Sequence, residues 1–335
     1  MRVHARGDWR GQRVFITGAG GFIASRLAST LVDRGAGVVG LVRDTAGVRL
    51  LRLLKVDLAI EVVRGDLGET GLVQRVLNEY EIDTVFHLAA QAMVGVANRS
   101  PLSTFESNVA GTWRVLEAAR LTPSVERVVV ASSDKAYGTQ RSLPYTEETS
   151  LDGSFPYDAS KACADIIARS YAVSFPLPVV VARCANVYGP GDLNWSRLLP
   201  GVIRAAIEGH DPVIRSDGTP ERDYIYLSDA VEAYIRLAES LPETSGQAFN
   251  FGTNRPESVL GLVERVLELV GCPGLRPRLL GSADNEIDRQ RLSSEKARRV
   301  LGWQPQVPLA EGLATTVAWY QRYLAAEPAR EALSV

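Results

Sequence analysis

The feature that most constrains the fold is a turn of small residues set between two elements of different periodicity near the N-terminus. Arg13-Val14-Phe15-Ile16-Thr17 is a β-branched and apolar run that stops at Gly18-Ala19-Gly20-Gly21, and from Phe22 to Val32 apolar residues recur at helical spacing. The order is strand, tight turn, helix. It sets a helix N-terminus, with its unpaired N–H groups and positive dipole end, over the end of a strand, where an anion is favoured. Gly18 allows the turn, Gly21 lets backbone approach a pyrophosphate with Phe22 and Ile23 opening the helix beside it, and Ala24 leaves room for helix-on-strand packing. The spacing is Gly-x-x-Gly-x-x-Ala, and in this context it predicts dinucleotide binding.

The alternation continues. Val38-Val39-Gly40-Leu41-Val42 is a second strand that ends at Arg43-Asp44. Arg43 suits the 2′-phosphate of NADP and Asp44 the ribose hydroxyls of NAD, and a solvated Arg-Asp loop is an equal reading. Ile60-Glu61-Val62-Val63 leads into Gly65-Asp66-Leu67, which puts Asp66 at the carboxyl edge of the sheet, within reach of an adenine amine. Thr84 to Leu88 and Arg127 to Ala131 are strands separated by a helix from about residue 102 to 121, and Val179 to Arg183 is a further strand. Repeated strand–helix units predict a Rossmann-type α/β fold, a doubly wound parallel sheet. From Asn186 the alternation weakens, so residues 1–185 read as the dinucleotide-binding domain and 186–335 mainly as a smaller C-terminal α/β substrate lobe, with segments near 224–250 returning to the first.

Composition narrows the function classes. With 335 residues, 46% of them hydrophobic, and a net charge of −2, the chain can bury a large core and carries no basic excess for nucleic acid. Cys163, Cys184 and Cys272 are too few and too scattered for a disulfide framework or zinc site, and His4, His87 and His210 lie far apart, so no metal is expected. No signal peptide or membrane-length apolar stretch is read, which gives a soluble, cytoplasmic expectation, with residues 325–335 expected to fray.

Two short runs carry the chemistry: Ser132-Ser133-Asp134-Lys135-Ala136-Tyr137-Gly138 and Tyr157-Asp158-Ala159-Ser160-Lys161. Tyr157 and Lys161 stand i, i+4 on a helix and project from one face, where an ammonium beside a phenol favours the phenolate that takes a hydroxyl proton. Ser133, just past a strand end, would orient the same oxygen. Asp134 and Lys135 add acid–base groups that alcohol oxidation does not need; an exposed Asp-Lys turn is the plain alternative. Together the runs read as a redox enzyme that also breaks another bond.

The chain resembles the extended short-chain dehydrogenases/reductases of the nucleotide-sugar epimerase/dehydratase group over nearly its whole length. The carriers are Thr17 to Ile23, His87-Leu88-Ala89-Ala90-Gln91, Tyr157 to Lys161, Asn186-Val187-Tyr188-Gly189-Pro190-Gly191, Arg222-Asp223-Tyr224-Ile225-Tyr226, Phe249-Asn250-Phe251-Gly252 and Leu301-Gly302-Trp303-Gln304-Pro305. Asp8 to Phe15, the Ser-Asp-Lys run and Gly191 to Pro200 are most similar to CDP-glucose 4,6-dehydratases, whereas Val42-Arg43 looks more like the NADP-dependent GDP-mannose enzymes. The loop after Tyr137 is shorter than CDP-glucose enzymes usually have. The resemblance implies NAD or NADP, tightly held and recycled, with Leu88, Ala89, Ala90 and Asn108 beside it and Asn108 supporting the lysine. It implies a nucleotide-diphosphate sugar held by Gln91, Ser133, Asn186, Arg197, Leu198, Arg222 and Arg289. Asp134 matches the acid that expels the C6 hydroxyl, and Lys135 stands where many relatives have a glutamate base, either to remove the C5 proton or to stabilise the enolate as a cation. A homodimer through a four-helix contact follows from the same likeness. The implied activity is 4,6-dehydration; a 4-epimerase would leave Asp134-Lys135 idle, and a non-catalytic regulator would be expected to lose Tyr157 or Lys161.

Overall fold

The computed structural model describes residues 7–44, 47–282 and 287–332; His4 and the last residues of the expected frayed end, 333–335, lie outside them. Seven strands make one parallel sheet: β1 (Arg13–Thr17), β2 (Gly37–Val42), β3 (Glu61–Arg64), β4 (Thr84–His87), β5 (Arg127–Ala131), β6 (Val179–Cys184) and β7 (Ala248–Phe251), in the spatial order 7-6-5-4-1-2-3. The central strands are apolar nearly throughout because helices cover both faces. Successive residues part to opposite sides: Ile16, Phe86, Val129 and Val180 enter one apolar cluster, while Phe15, Val85, Val130 and Val181 enter the other. This is the doubly wound Rossmann-like sheet that the alternation predicts.

The strand order reverses between β1 and β4, which leaves a crevice at their carboxyl ends, the place where open α/β sheets take ligands. The last strand comes from far along the chain. After the Leu227–Glu239 helix, which packs on the Phe22–Asp33 helix, Ala248–Phe251 pairs with β6 in the register Phe249 to Ala182. A third apolar cluster, around Tyr188, Ile203, Leu262, Leu313 and Tyr320, gathers the Leu198–Ile207, Val259–Val270 and Leu309–Ala332 helices into a smaller body. Among the described residues no helix is long and apolar enough to cross a membrane.

Periodicity predicts one helix over 102–121, and the structure departs from it. A helix Pro101–Phe105 passes into a π-helical turn, Glu106–Ala110, before the α-helix Gly111–Arg120. The wider turn accommodates Asn108, whose side chain accepts from Gln91 N at 2.7 Å and donates to Gln91 O at 3.0 Å and to Ser160 Oγ at 2.8 Å. π-bulges are frequent at functional sites, and this one carries a buried amide bonded to Gln91 and Ser160.

One residue of β6 breaks the apolar pattern. Arg183 is almost fully buried and grips Asp165 of the Pro156–Ser174 helix with two bonds, Nε to Oδ2 at 2.8 Å and Nη2 to Oδ1 at 2.9 Å. Its Nη1 donates to Tyr137 Oη at 2.7 Å, and Tyr137 Oη donates to Asn250 Oδ1 on β7 at 2.7 Å. Burial works against the guanidinium charge, but Asp165 and Tyr137 hold it above the ordinary arginine range. Asp165→Asn strips the counter-charge from Arg183 and should lower stability by about 3–5 kcal/mol, read as a lower urea midpoint at unchanged m-value.

Candidate functional site

The glycine turn is built by sterics. Gly18 sits at φ +68, and a Cβ on it would stand 2.8 Å from Ala89 Cα. Gly21 N donates to Gly18 O at 2.8 Å to close the turn, and a Cβ on Gly21 would meet only that oxygen at 3.1 Å. The glycine that sequence reasoning passed over is Gly20: a Cβ there would run into the Gly47 carbonyl. Its signal was invisible because the obstacle lies on a loop remote in sequence. Gly21 caps the Phe22–Asp33 helix without a side-chain bond, so the first N–H groups of the helix remain available to an anion.

This turn forms one wall of a cavity of about 1440 Å³, larger than the ~300–1,000 Å³ usual for a single small ligand. Lining residues include Phe22, Ile23, Arg43, Asp44, Asp66 and Leu67 on the turn side, and Leu88, Ala89, Ala90 and Gln91 at the end of β4. Ser133, Asp134, Lys135, Tyr157 and Lys161 form the floor, and Asn186, Arg197, Leu198 and Arg222 face them. Arg43 and Asp44 are both exposed, 3.6 Å apart, and Asp44 Oδ1 also accepts from Gly47 N at 3.0 Å. Asp66 Oδ1 accepts from Gly68 N at 2.7 Å, which shapes its loop.

At the floor, burial drives Tyr157, Lys161 and Asp134 toward their neutral forms. It pushes the Tyr157 phenol up to about 12, against the pull of a hydrogen bond with Ser133 and the charge of Arg197. It brings Lys161 down to about 8, with Nζ donating to Ala131 O at 2.9 Å. Asp134 is buried and its carboxyl is raised, chiefly by desolvation, against the pull of Lys135. Ser133 Oγ donates to Asp134 Oδ1 at 3.0 Å, while Oδ2 has no hydrogen-bond partner among the described residues. A buried carboxyl with one orphan oxygen is suited to carrying a proton. Lys135 Nζ donates to Gln290 Oε1 at 3.1 Å.

Two expected roles are placed differently. Asn108 does not reach into the cavity: its amide is spent on Gln91 and Ser160, and the lysine it was expected to support donates to Ala131 instead. Arg289 is exposed and off the cavity wall, because residues 289–292 run extended, with Gln290 and Leu292 inward and Arg289 outward. Arg222 is buried, lines the cavity, and donates from Nη1 to the carbonyls of Glu221 and Asp288, each at 3.0 Å. Asn186 Nδ2 donates to Asp223 O at 3.2 Å, Gln91 Oε1 accepts from Met93 N at 2.9 Å, and Arg197 Nη1 pairs with Asp192 at 2.8 Å. Among the described residues no three His, Cys, Asp or Glu side chains are grouped as a metal site would need.

Comparison with known proteins agrees with this geometry. The family model described as "NAD dependent epimerase/dehydratase family" matches residues 14–252. A UDP-glucose 4-epimerase of Mycolicibacterium smegmatis is 35% identical over 92% of this chain and 98% of its own. A CDP-glucose 4,6-dehydratase of Salmonella typhimurium is 30% identical over 95% of this chain and 93% of its own. The crystal structure of a dTDP-glucose 4,6-dehydratase from Streptomyces venezuelae with NAD bound superposes with a TM-score of 0.86 at 29% identity, covering 95% of this chain and 99% of that one.

Two expectations test the site. Gly18→Ala meets both a left-handed backbone and the Ala89 Cα, and should cost about 1–3 kcal/mol together with dinucleotide affinity, measured by unfolding and by NAD titration. His87, between Thr17 Oγ1 at 2.8 Å and Thr112 Oγ1 at 3.1 Å, is brought down to about 3 by burial and the Lys161 charge. The unfolded chain therefore takes up a proton near pH 6.5 that the folded chain refuses until about 3. Stability should fall as pH drops through that window, by about 1.4 kcal/mol per pH unit from this group, and His87→Gln should flatten that acid limb in a pH series of melts.

Proposed function

Because the chain belongs to the NAD dependent epimerase/dehydratase family, we propose that it is a nucleotide-sugar 4,6-dehydratase, turning an NDP-hexose into its NDP-4-keto-6-deoxy product, with CDP-glucose the first candidate. The observation that carries this reading is Asp134: a buried, upward-shifted carboxyl with an orphan oxygen, in the same cavity as Tyr157. Epimerisation at C4 has no use for such an acid. The fit of a dinucleotide rests on the turn at Gly18 and Gly20, where a side chain would strike the backbone at Ala89 and Gly47, and on the uncapped N–H groups of the helix it opens. When bound, NAD or NADP supplies a reversible hydride acceptor, so that hydride taken from C4 is returned to C6 without net consumption.

The residues divide the remaining work. Tyr157, oriented by Ser133, takes the C4 hydroxyl proton, and Lys161 sets the charge beneath it. The new carbonyl makes the C5 proton acidic. Lys135 removes it; Asp134 protonates the C6 hydroxyl as the C6–O bond breaks, so that C5=C6 forms and water leaves. Arg222, Arg197 and Asn186 hold the nucleotide diphosphate, whose binding energy keeps the sugar over these groups. The epimerase alternative is favoured by one observation, the 35% identity to a UDP-glucose 4-epimerase.

Assembly follows from an uncovered apolar stripe. Leu102, Phe105 and Trp113 are exposed on one helical run and Ile166 and Val173 on the Pro156–Ser174 helix, which supports a homodimer across a four-helix contact. Three unpaired cysteines suit the reducing cytoplasm.

Tyr157→Phe should lose about 10³-fold in turnover while still binding nucleotide by calorimetry; near-normal activity would remove the central claim. With wild-type enzyme in deuterated water, deuterium should enter at C5 and a C4 label should appear at C6. Asp134→Asn should nearly abolish the 4-keto-6-deoxy product. A C4 epimer with the label still at C4 and no solvent deuterium would establish the epimerase instead. Sedimentation should give a dimer at micromolar concentration that Val173→Asp dissociates.

A further inference from the structure

One buried amide links the acid–base run to the nucleotide side of the cleft. Gln290 is fully buried; its Oε1 accepts from Lys135 Nζ at 3.1 Å, and its Nε2 has no partner among the described residues. The backbone around it is stitched on both sides. Gln290 N donates to Glu221 O at 3.1 Å, and Asp288 O accepts from Glu221 N at 2.8 Å and from Arg222 Nη1 at 3.0 Å. On the other side Tyr145 N donates to Arg291 O at 2.9 Å, and Leu292 N donates to Asp223 Oδ2 at 3.3 Å. The strap is fixed from its first residues to its last, so the amide has one place to be. Lys135 makes no ion pair within 4 Å among the described residues, although its charge acts on the neighbouring Asp134; the group that holds its nitrogen is a neutral amide.

We propose that Gln290 is the positioning residue of the elimination step, holding Lys135 Nζ toward C5 of the sugar through a neutral amide. The inference rests on the dehydratase reading above and names a residue that reading does not use. The chemistry favours an amide over a carboxylate at this place. A lysine that takes a proton needs its lone pair, and a carboxylate 3 Å away would favour the ammonium, which has none. The amide carbonyl accepts an N–H from an ammonium and from an amine alike, so one side chain serves Lys135 before and after the proton moves. Because the same strap receives Arg222 through the Asp288 carbonyl, nucleotide docking and the placement of the base share one rigid segment.

The test uses the full-length enzyme and whichever of CDP-, UDP-, dTDP- and GDP-glucose it turns over fastest. Gln290→Glu keeps the shape and the hydrogen bond but adds a charge; Gln290→Met removes the bond. Both should lower kcat at least tenfold with KM and affinity for the matching nucleoside diphosphate within twofold, and both should enlarge the isotope effect on kcat with C5-deuterated sugar, since proton removal becomes slower. The Lys135→Met, Gln290→Met double variant should be no slower than Lys135→Met alone. If the Met variant does not fold, the isosteric Glu variant decides. A Glu variant with wild-type kcat, a rise in KM with kcat unchanged, an unchanged isotope effect, or losses that multiply in the double variant would overturn the inference. Any of these beside a wild type that forms the 4-keto-6-deoxy sugar leaves the dehydratase reading standing; a wild type that returns only the C4 epimer overturns both.

Discussion

The arrangement of the cavity floor depends on the buried pair between Arg183 and Asp165. Asp165 lies one turn beyond Lys161 on the Pro156–Ser174 helix, Arg183 lies on β6, and the guanidinium also holds Tyr137, the last residue of the turn that begins at Asp134. The Arg183 guanidinium stands over the Tyr137 ring at 4.9 Å, and that ring packs against Tyr145 with centroids 4.9 Å apart. The helix of Tyr157, the turn of Asp134 and Lys135, and the strand beneath them therefore share one charge pair. Buried pairs return little net stability because both ions lose water. Here the return is geometric: a fully bonded network admits one packing and rejects neighbours that leave a charge alone.

The same low-polarity surroundings set the electrostatics of the floor. Burial moves Tyr157 and Asp134 up and Lys161 down, so each group holds or loses its proton at the expense of charge. His87 is the extreme case and serves as a neutral spacer between Thr17 and Thr112, joining β1, β4 and the Gly111–Arg120 helix. Thr17 Oγ1 also accepts from Ala89 N at 3.1 Å, next to the point where Gly18 must have no side chain. A strand-end threonine, a histidine that never titrates in the working range and a glycine thus define one corner of the dinucleotide crevice.

Much of this was legible because local pattern and global packing agree. Continuous apolar runs such as Val128-Val129-Val130 and Val179-Val180-Val181 can be buried on both faces only in a covered parallel sheet, and the short motifs sit where such strands end. What stayed hidden depends on partners distant in sequence. Gly20 matters through Gly47, the π turn through the bonds of Asn108 to Gln91 and Ser160, and Gln290 through Lys135, across 155 positions. Arg289 was the plausible ligand by residue type, but its orientation follows from the alternation of an extended strap whose inward positions are 290 and 292. Arg183 was readable in principle, since an arginine inside an apolar strand needs a buried counter-charge; its partner was not.

The late arrival of β7 bears on how the chain comes off the ribosome. Until residues 248–251 emerge, β6 is an open edge, with Val179 to Cys184 presenting unpaired peptide groups between buried apolar side chains. Such an edge invites pairing with other nascent chains. Tyr137, too, lacks Asn250 as the acceptor of its hydroxyl at that stage. The turn that carries the acid is thus completed only when three-quarters of the polypeptide has been made.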